Sequence, residues 1–456
     1  MIIDRFSYDI IKCVLKSTPS KLLEKIMMKK MINPVKGTRD YYPEEMSART
    51  WLYGILRKVS ESFGYQEYEG PILESLDLYA AKSSVELAKE QAYSFTDRGG
   101  DWITMRPELT PTLARMIAQR QGQLVYPLRW WSWGPFWRYE KPQKGRTREF
   151  FQWNIDLIGV DTPEADAEMV AIVAELFRTI GLSPQEAVIL INDRQLTNDQ
   201  LAKLGVSTEL RQDCLTWIDR RDKLDPQAWE EYGLEIGLST AQVAGTKTFL
   251  DNPDLWRESQ TLQRVLVALE AMGVKDYVRY DSGIIRGLPY YTDLVFEAFD
   301  VSGSLRRSIL GGGRYNNLMA AVGGDPTPAV GFAMGDLVLS LMLKERGLLP
   351  AGGGASPASV LVTVFDEERM SASLSLAAEL RRAGLKAACY PEPAKLPRQF
   401  KYADRMGIRI AVVIGPDEAA NQQVTLKDLK AGLQQTIARQ EAVQAILKLL
   451  ASAPAS

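Results

Sequence analysis

From Pro43 onward, apolar side chains recur with helical spacing. Leu52, Ile55, Leu56, Val59 and Phe63 fall on one face, Pro43 opens the segment and Gly64 stops it. A strand over 65–68 follows, ended by Pro71. Alternation on both sides of Arg98-Gly99-Gly100-Asp101 predicts a hairpin over 93–106. A short helix is expected over 111–119, then strands near 136–140 and 149–159 joined by the loop KPQKGRTR. Thr162-Pro163 caps a helix over 164–180, and VILIN at 188–192 reads as a short buried strand. Between 196 and 275 the pattern turns helical and polar with no strong strand, the mark of an insertion. Strands return at 277–285 and 290–299, followed by GGGRYNNL, PAVGFAMG and a helix over 336–346. The stretch GLLPAGGGASP at 347–357 has linker composition. Beyond it, VLVTV, a helix to Ala383, a helix over 395–406, IRIAVVIG, VTLKD and a last helix over 434–450 predict a small α/β domain on a mixed sheet. The resulting division is an extension (1–33), a core (34–195 with 276–346), a helical insertion (196–275), a linker (347–357) and a C-terminal domain (358–456).

A chain of 456 residues accommodates about three domains. With 46% apolar and 25% charged residues it is not a disordered protein. Its 55 basic residues stand against 57 acidic ones, so no bulk basic character announces a nucleic-acid binder, though a local basic face stays open. The cysteines, Cys13, Cys214 and Cys389, lack paired spacing, which excludes a disulfide framework or zinc knuckle and fits a reducing cytoplasm. Histidine is absent altogether. That removes Ser-His-Asp and Cys-His catalysis, His-ligated zinc and imidazole acid–base chemistry. The chemistry must use carboxylates, cations, hydroxyls and backbone. No apolar run is long enough to span a membrane. The first thirty residues are Lys-rich, carry Asp4, Asp9 and Glu24, and lack an apolar core with a cleavage site. They read as a helical extension or as sequence ahead of initiation near Met28 or Met31, rather than as a targeting peptide.

The densest chemistry lies around KPQKGRTR. On the second strand Phe150, Gln152, Asn154 and Asp156 share one face and Phe151, Trp153, Ile155 and Leu157 the other; on the first, Arg138 and Glu140 share a face. Such a polar face is either a solvated outer surface or the floor of a site. Lys141, Lys144, Arg146 and Arg148 in the loop supply cation density suited to phosphate or tRNA. In RPELT, Thr110 is a good N-cap, and Glu108 would sit near a helix N-terminus in a capping or a functional role. Arg286 precedes a turn after which Tyr290 and Tyr291 begin a strand, placing a cation and a phenol at a strand end. GGGRYNNL matches no phosphate-loop spacing.

In this order and spacing, GTRDYYPEE, RPELT, RYEKPQKGRTREFFQWNIDLIG, RGLPYYTDLVFE, GGGRYNNL and AVGFAMG resemble the histidyl-tRNA synthetases, of class II, from about Val35 to the last helix. The resemblance implies an α+β fold: an antiparallel catalytic sheet flanked by helices, a helical insertion and a C-terminal α/β anticodon-binding domain. It implies a homodimer built on the helix 43–63 and the strand through Pro71, and ligation of histidine to tRNA(His) through histidyl-adenylate, with ATP as substrate and Mg²⁺ on its phosphates. Position by position, Arg138 matches the arginine that grips the α-phosphate, Glu140 an acidic neighbour near adenine, and Phe150 the ring that stacks on adenine. Glu108, Thr110 and Gln152 match the residues that hold the α-amino group. Asp156 and Tyr291 match the pair that reads the imidazole, with Tyr290 alongside, and Arg286 matches an arginine that neutralises charge at the reacting carboxylate and phosphate. No side-chain metal ligand is assigned. Arg398, Lys401 and Arg405 share a helix face that is either solvated or tRNA-binding. The chain departs from the family where GFAMG is followed by Asp336 and Leu337 without an arginine, at Pro289 where an acid is usual, and at Phe151 where histidine is frequent. The alternative is the synthetase-like regulatory subunit of ATP phosphoribosyltransferase. That paralogue typically lacks the RGL arginine and the anticodon domain, which this chain has.

Overall fold

The computed structural model describes residues 32–452 except 81–90, 144, 288–289, 302–307 and 351–355. The expected extension and the middle of the expected linker therefore lie largely outside the described residues. The first half of the core runs α1 (Pro43–Ser62), β1 (Gln66–Glu67), β2 (Leu73–Ser75), β3 (Tyr93–Thr96), β4 (Trp102–Met105), α2 (Thr110–Arg120), β5 (Leu128–Trp137), β6 (Glu149–Ile158), α3 (Pro163–Thr179) and β7 (Ala187–Asp193). Five helices follow: α4 (Arg194–Lys203), α5 (Arg211–Ile218), α6 (Pro226–Glu235), α7 (Thr240–Leu250) and α8 (Gln260–Ala271). The core then resumes with β8 (Val278–Tyr280), β9 (Leu294–Asp300), β10 (Ser308–Arg314), β11 (Ala329–Gly335) and α9 (Asp336–Glu345).

These strands form an eight-stranded sheet in the order β1-β5-β6-β11-β10-β9-β7-β8, with β2-β4-β3 as a separate three-stranded sheet. The large sheet is antiparallel through its centre and parallel only where β1 meets β5 and β7 meets β8. Its central pairing joins distant stretches of chain, Asp156 of β6 lying opposite Gly331 of β11. The two faces differ as alternation requires. Trp131, Trp153 and Ile155 turn to the side covered by α1 and α3, where Leu56, Val170 and Phe177 close the core. Each such large apolar side chain removed from water contributes on the order of 1.5–3 kcal/mol. The same buried cluster continues into the five-helix region through Leu196, Trp217 and Leu262. There the rings of Trp217 and Trp229 stack at 4.1 Å, and each indole N–H donates to the other residue's backbone carbonyl, which pins α5 to α6. The opposite face, with Gln152, Asn154 and Asp156, floors a cleft.

The C-terminal unit runs β12 (Val360–Val362), α10 (Met370–Arg382), β13 (Ala387–Cys389), α11 (Leu396–Arg405), β14 (Ile410–Val413), β15 (Gln423–Asp428), β16 (Leu433–Ala438) and α12 (Ala442–Ala451). Its sheet, ordered β13-β12-β14-β15-β16, is parallel in the first three strands and antiparallel in the rest. Separate apolar clusters fill its two sides, Val362, Leu376 and Ile446 on one and Leu361, Ala403 and Ile408 on the other.

Several expectations need correction. The strand expected near 136–140 is β5, which starts at Leu128 and ends at Trp137, so Arg138 and Glu140 lie beyond its end. Gly134 and Pro135 lie within it and serve packing: a Cβ on Gly134 would lie 2.2 Å from the Arg106 guanidinium, and the Pro135 carbonyl accepts from Arg106 Nε. The strand expected over 277–285 stops at Tyr280, because the Asp281 carboxylate accepts from Gly283 N and turns the chain. The next strand starts at Leu294, leaving Tyr290 and Tyr291 in the loop before it. The helix expected over 434–450 is split. Its first part is β16, whose residues pair with β15, and α12 starts only at Ala442. Thr110 is not a cap: Leu109 holds that position, no side chain caps α2, and Thr110 is its first helical residue.

Candidate active site

Arg106, fully buried at the end of β4, anchors the RPELT segment. It pairs with Glu69 at 2.5 Å, donates to the Gly70 carbonyl at 3.1 Å and lies over the Phe136 ring. This fixes the turn from which Glu108 enters the cleft. Arg138, just past β5, donates Nε to the Pro107 carbonyl at 2.9 Å, so the two segments carrying Glu108 and Arg138 are tied together. The loop after Arg138 folds back on itself, with Gln143 and Arg146 bridged and Arg146 paired to Glu140 at 3.1 Å. Phe150 stacks against Phe136 with 6.0 Å between centroids, and the Arg138 guanidinium lies 5.3 Å from the Phe150 ring.

Two adjoining cavities result. One is lined by Arg138, Glu140, Arg146, Phe150 and Asp336, among others. The other is lined by Glu108, Thr110, Arg138, Gln152, Asp156, Arg286, Tyr290 and Tyr291 together with Asn154 and Tyr315. Every core residue matched to a substrate position therefore lines one cavity or the other, and Arg138 borders both; of the loop cations only Arg146 does so, Lys141 and Arg148 lining neither and Lys144 lying outside the described residues. Arg398, Lys401 and Arg405 lie elsewhere, on the exposed side of α11 opposite buried Gln399 and Ala403. Nearby Arg409 turns away to pair with Asp428 at 2.8 Å.

Asp156 is the electrostatic centre of the second cavity. Burial pushes its carboxyl up to about 7, and a hydrogen bond from the Tyr315 hydroxyl opposes that rise. Tyr291, matched as the other half of the pair that reads the imidazole, lines the same cavity, and a further phenol joins them, since the Tyr315 hydroxyl donates to Asp156. Burial raises the pKa of both phenols, which keeps them protonated donors. Arg286 pairs with Glu297 at 2.9 Å and holds a left-handed backbone with φ of +55°, a conformation that residues with side chains keep only when their surroundings enforce it.

The GGGRYNNL segment, which carried no phosphate-loop signal, acquires a reason here. A Cβ on Gly311 would lie 1.3 Å from Arg286 Nη1, and one on Gly313 would lie 2.8 Å from the Tyr291 ring. The glycines of β10 are the space into which those side chains fit. At the other cavity, Asp336 accepts from Phe151 N at 3.0 Å and pairs with Arg39 at 2.9 Å, which joins the GTRD segment to the start of α9.

An antiparallel sheet with a carboxylate-floored cleft, an arginine shared by two cavities and a separate mixed-sheet domain is the architecture of a class II aminoacyl-tRNA synthetase. The histidyl-tRNA synthetase family model matches residues 37–336, and an anticodon-binding-domain model matches 359–449. A curated histidine–tRNA ligase of Opitutus terrae is 37% identical over 428 residues, covering 90% of this chain and 97% of that one. The chloroplastic/mitochondrial histidine–tRNA ligase of Arabidopsis thaliana is 35% identical, covering 88% of this chain and 84% of its own length. Among solved structures, histidyl-tRNA synthetase from a Nostoc species aligns with a TM-score of 0.76 at 27% identity, covering 92% of this chain and 99% of that one. The chain belongs to the histidyl-tRNA synthetase family.

Proposed function

We propose that the protein ligates histidine to tRNA(His), with histidine and ATP meeting at Arg138. The observation that carries this reading is that residues from the RPELT, RYEKPQKGR and RGLPYY segments converge on two cavities sharing that arginine. Histidine would lie in the Asp156 cavity. Glu108, Thr110 and Gln152 would hold its ammonium, and Asp156, Tyr290, Tyr291 and Tyr315 would surround its imidazole. Adenine would stack on Phe150 beside Glu140. The histidine carboxylate then attacks the α-phosphate in line, displacing pyrophosphate, with Arg138 and Arg286 neutralising the charge that develops. Such a transfer needs positioned cations rather than an imidazole base, so a chain without histidine can perform it. The 3′-terminal ribose of the tRNA takes the acyl group next, and the exposed row Arg398, Lys401 and Arg405 contributes phosphate contacts to the tRNA.

Mg²⁺ would arrive on the ATP phosphates. Among the described residues no cluster of acidic side chains would cage the ion without nucleotide, so the phosphates themselves would supply most of its hard oxygen ligands. Bound there, the ion would neutralise phosphate charge. The protein is a homodimer in this reading, supported by exposed apolar residues at the start of α1 and at β2, the segments matched to the dimer-building motif: Tyr42, Met46, Ile72 and Leu73. A reducing cytoplasm agrees with the free thiols of Cys214 and Cys389, and no helix of the described residues is long and apolar enough to cross a membrane. The domain division proposed from the sequence stands as this reading's division. The decisive experiment is histidine-dependent exchange of pyrophosphate into ATP followed by charging of tRNA(His). A chain that binds histidine but shows no exchange would instead fit the regulatory-subunit alternative.

A further inference from the structure

The loop between β8 and β9 carries Arg286, Tyr290 and Tyr291, and much of its anchorage comes from the junction where β7 runs into the five-helix region. Asn192, fully buried near the end of β7, donates Nδ2 to the carbonyls of Ser282 at 3.0 Å and Ile284 at 3.1 Å. Arg194, the first residue of α4 and 3% exposed, donates Nη1 to the Tyr291 carbonyl at 2.8 Å, and its backbone N donates to the Asp293 carbonyl at 3.0 Å. One residue thus grips the loop just before Arg286 and the other just after Tyr290. Ser282 also donates its hydroxyl to the carbonyl of Leu250, the last residue of α7. Between Asn192 and Arg194, Asp193 caps α4 through Gln195 N and accepts the hydroxyl of Ser259, which itself caps α8 through Leu262 N. Three of the five helices therefore begin or end on this loop or on the stretch Asn192–Arg194 that grips it.

The loop needs such a grip. Arg286 sits in the left-handed region, and a residue with a side chain stays there only if its flanking peptides are fixed. Its guanidinium must also enter the space above Gly311, where small displacements meet backbone. Hydrogen bonds to buried carbonyls on both sides of the strained residue supply that fixation, and a charged donor in a low-dielectric interior holds more firmly than a neutral one.

We infer that Asn192 and Arg194 are positioning residues for the activation step: they set Arg286 and Tyr291 in the cleft and make the helical region and the reactive loop one mechanical unit. This rests on the roles proposed above for Arg286 and Tyr291. Neither residue reaches the cavity itself, so the effect passes through the loop.

The test is pyrophosphate exchange by the full chain carrying Arg194→Leu, Arg194→Lys or Asn192→Ser, with histidine and ATP varied separately and melting temperatures recorded. Arg194→Leu should lower the histidine kcat/KM roughly 10- to 100-fold, the range for losing a charge-assisted bond, with the ATP KM moving by less than about twofold. Arg194→Lys, which keeps a cationic donor, should recover most of that loss. Asn192→Ser should lower the same parameter by about tenfold. If Arg194→Leu does not fold, the other two variants carry the comparison. Folded variants with wild-type histidine kinetics would overturn the inference, as would losses that follow melting temperature and fall equally on both substrates. Absence of exchange in the unmodified chain would overturn the proposed function, a different and separately visible failure.

Discussion

Replacing Asp156 by Asn should make the protein a worse enzyme and a more stable one. The carboxyl lies 6% exposed and burial raises it to about 7, whereas in the unfolded chain it titrates near its ordinary value of about 3.9. Between about pH 4 and 7 the folded protein therefore holds a proton that the unfolded chain has lost, so stability falls as pH rises through that window. Above about pH 7 the buried charge is fully formed, at a cost of at most ~4 kcal/mol for a shift of about three units. Asn escapes this titration but still needs hydrogen bonds, so a gain of about 1–3 kcal/mol at pH 8 is expected, with almost none at pH 5. In a chain of this size that should raise the melting temperature at pH 8 by several degrees. Histidine recognition should move the other way. Loss of a charge-assisted bond to the imidazole N–H is worth about 1.5–3 kcal/mol, or 10- to 150-fold in kcat/KM for histidine, while the ATP KM stays near wild type. In the unmodified protein kcat/KM for histidine should climb through about pH 7 more steeply than in the variant, where only the substrate's own imidazole titrates. Pyrophosphate exchange from pH 6 to 8.5, with each substrate varied in turn, reads this directly. A variant that loses ATP affinity but keeps histidine affinity, or that melts earlier at pH 8, would refute the reasoning.

Arg286→Ala should lower adenylate formation on the order of 10²–10³-fold with the fold intact, as loss of a preorganised electrostatic donor does; single-turnover activation checks it. Gly311→Ala should approach the same defect without touching a charged residue, since its Cβ would lie 1.3 Å from Arg286 Nη1, and near-normal exchange would show that Arg286 can work from another position. Reversing Arg398, Lys401 and Arg405 to Glu should leave pyrophosphate exchange unchanged, weaken tRNA binding and flatten its dependence on salt; an unaltered salt slope would count against phosphate contacts there.

The architecture was legible where one local cause dominates. Apolar periodicity marked α1, and Pro43, Gly64 and Thr162-Pro163 marked both ends of α1 and the start of α3, because capping and backbone restriction act within a turn. It was misread where distant chain decides. The start of β5 was missed because Gly134 and Pro135, residues that strands disfavour, are held there by contact with the distant Arg106, and the Leu433–Ala438 stretch ran on into an apolar helix until its pairing with β15 was known. The site residues came through family resemblance; spacing alone left the face of Gln152 and Asp156 open to two readings. Tyr315 escaped because it follows a glycine run in which Gly311 and Gly313 leave space for Arg286 and Tyr291, residues more than twenty positions earlier. The available signal was a tyrosine immediately after a glycine strand that pairs with both β9 and β11.

The strand order also bears on how the chain reaches its native state during synthesis. β6 supplies the floor of the cleft, yet its partner on one side is β11, and Ala329 must return to lie opposite Ile158. Until that segment leaves the ribosome, β6 presents an unpaired edge and the cleft has no far wall. The five helices are made in the interval, and their apolar faces belong to the same buried cluster as the sheet, so they have something to condense upon while the edge waits. Closure of the sheet is a late, long-range event that gains its contacts only after a large loop has been closed. The mixed sheet after β12, built from strands close in sequence and with apolar clusters of its own, carries no such delay. A nascent chain halted before Ala329 should therefore show native helices and no histidine pocket.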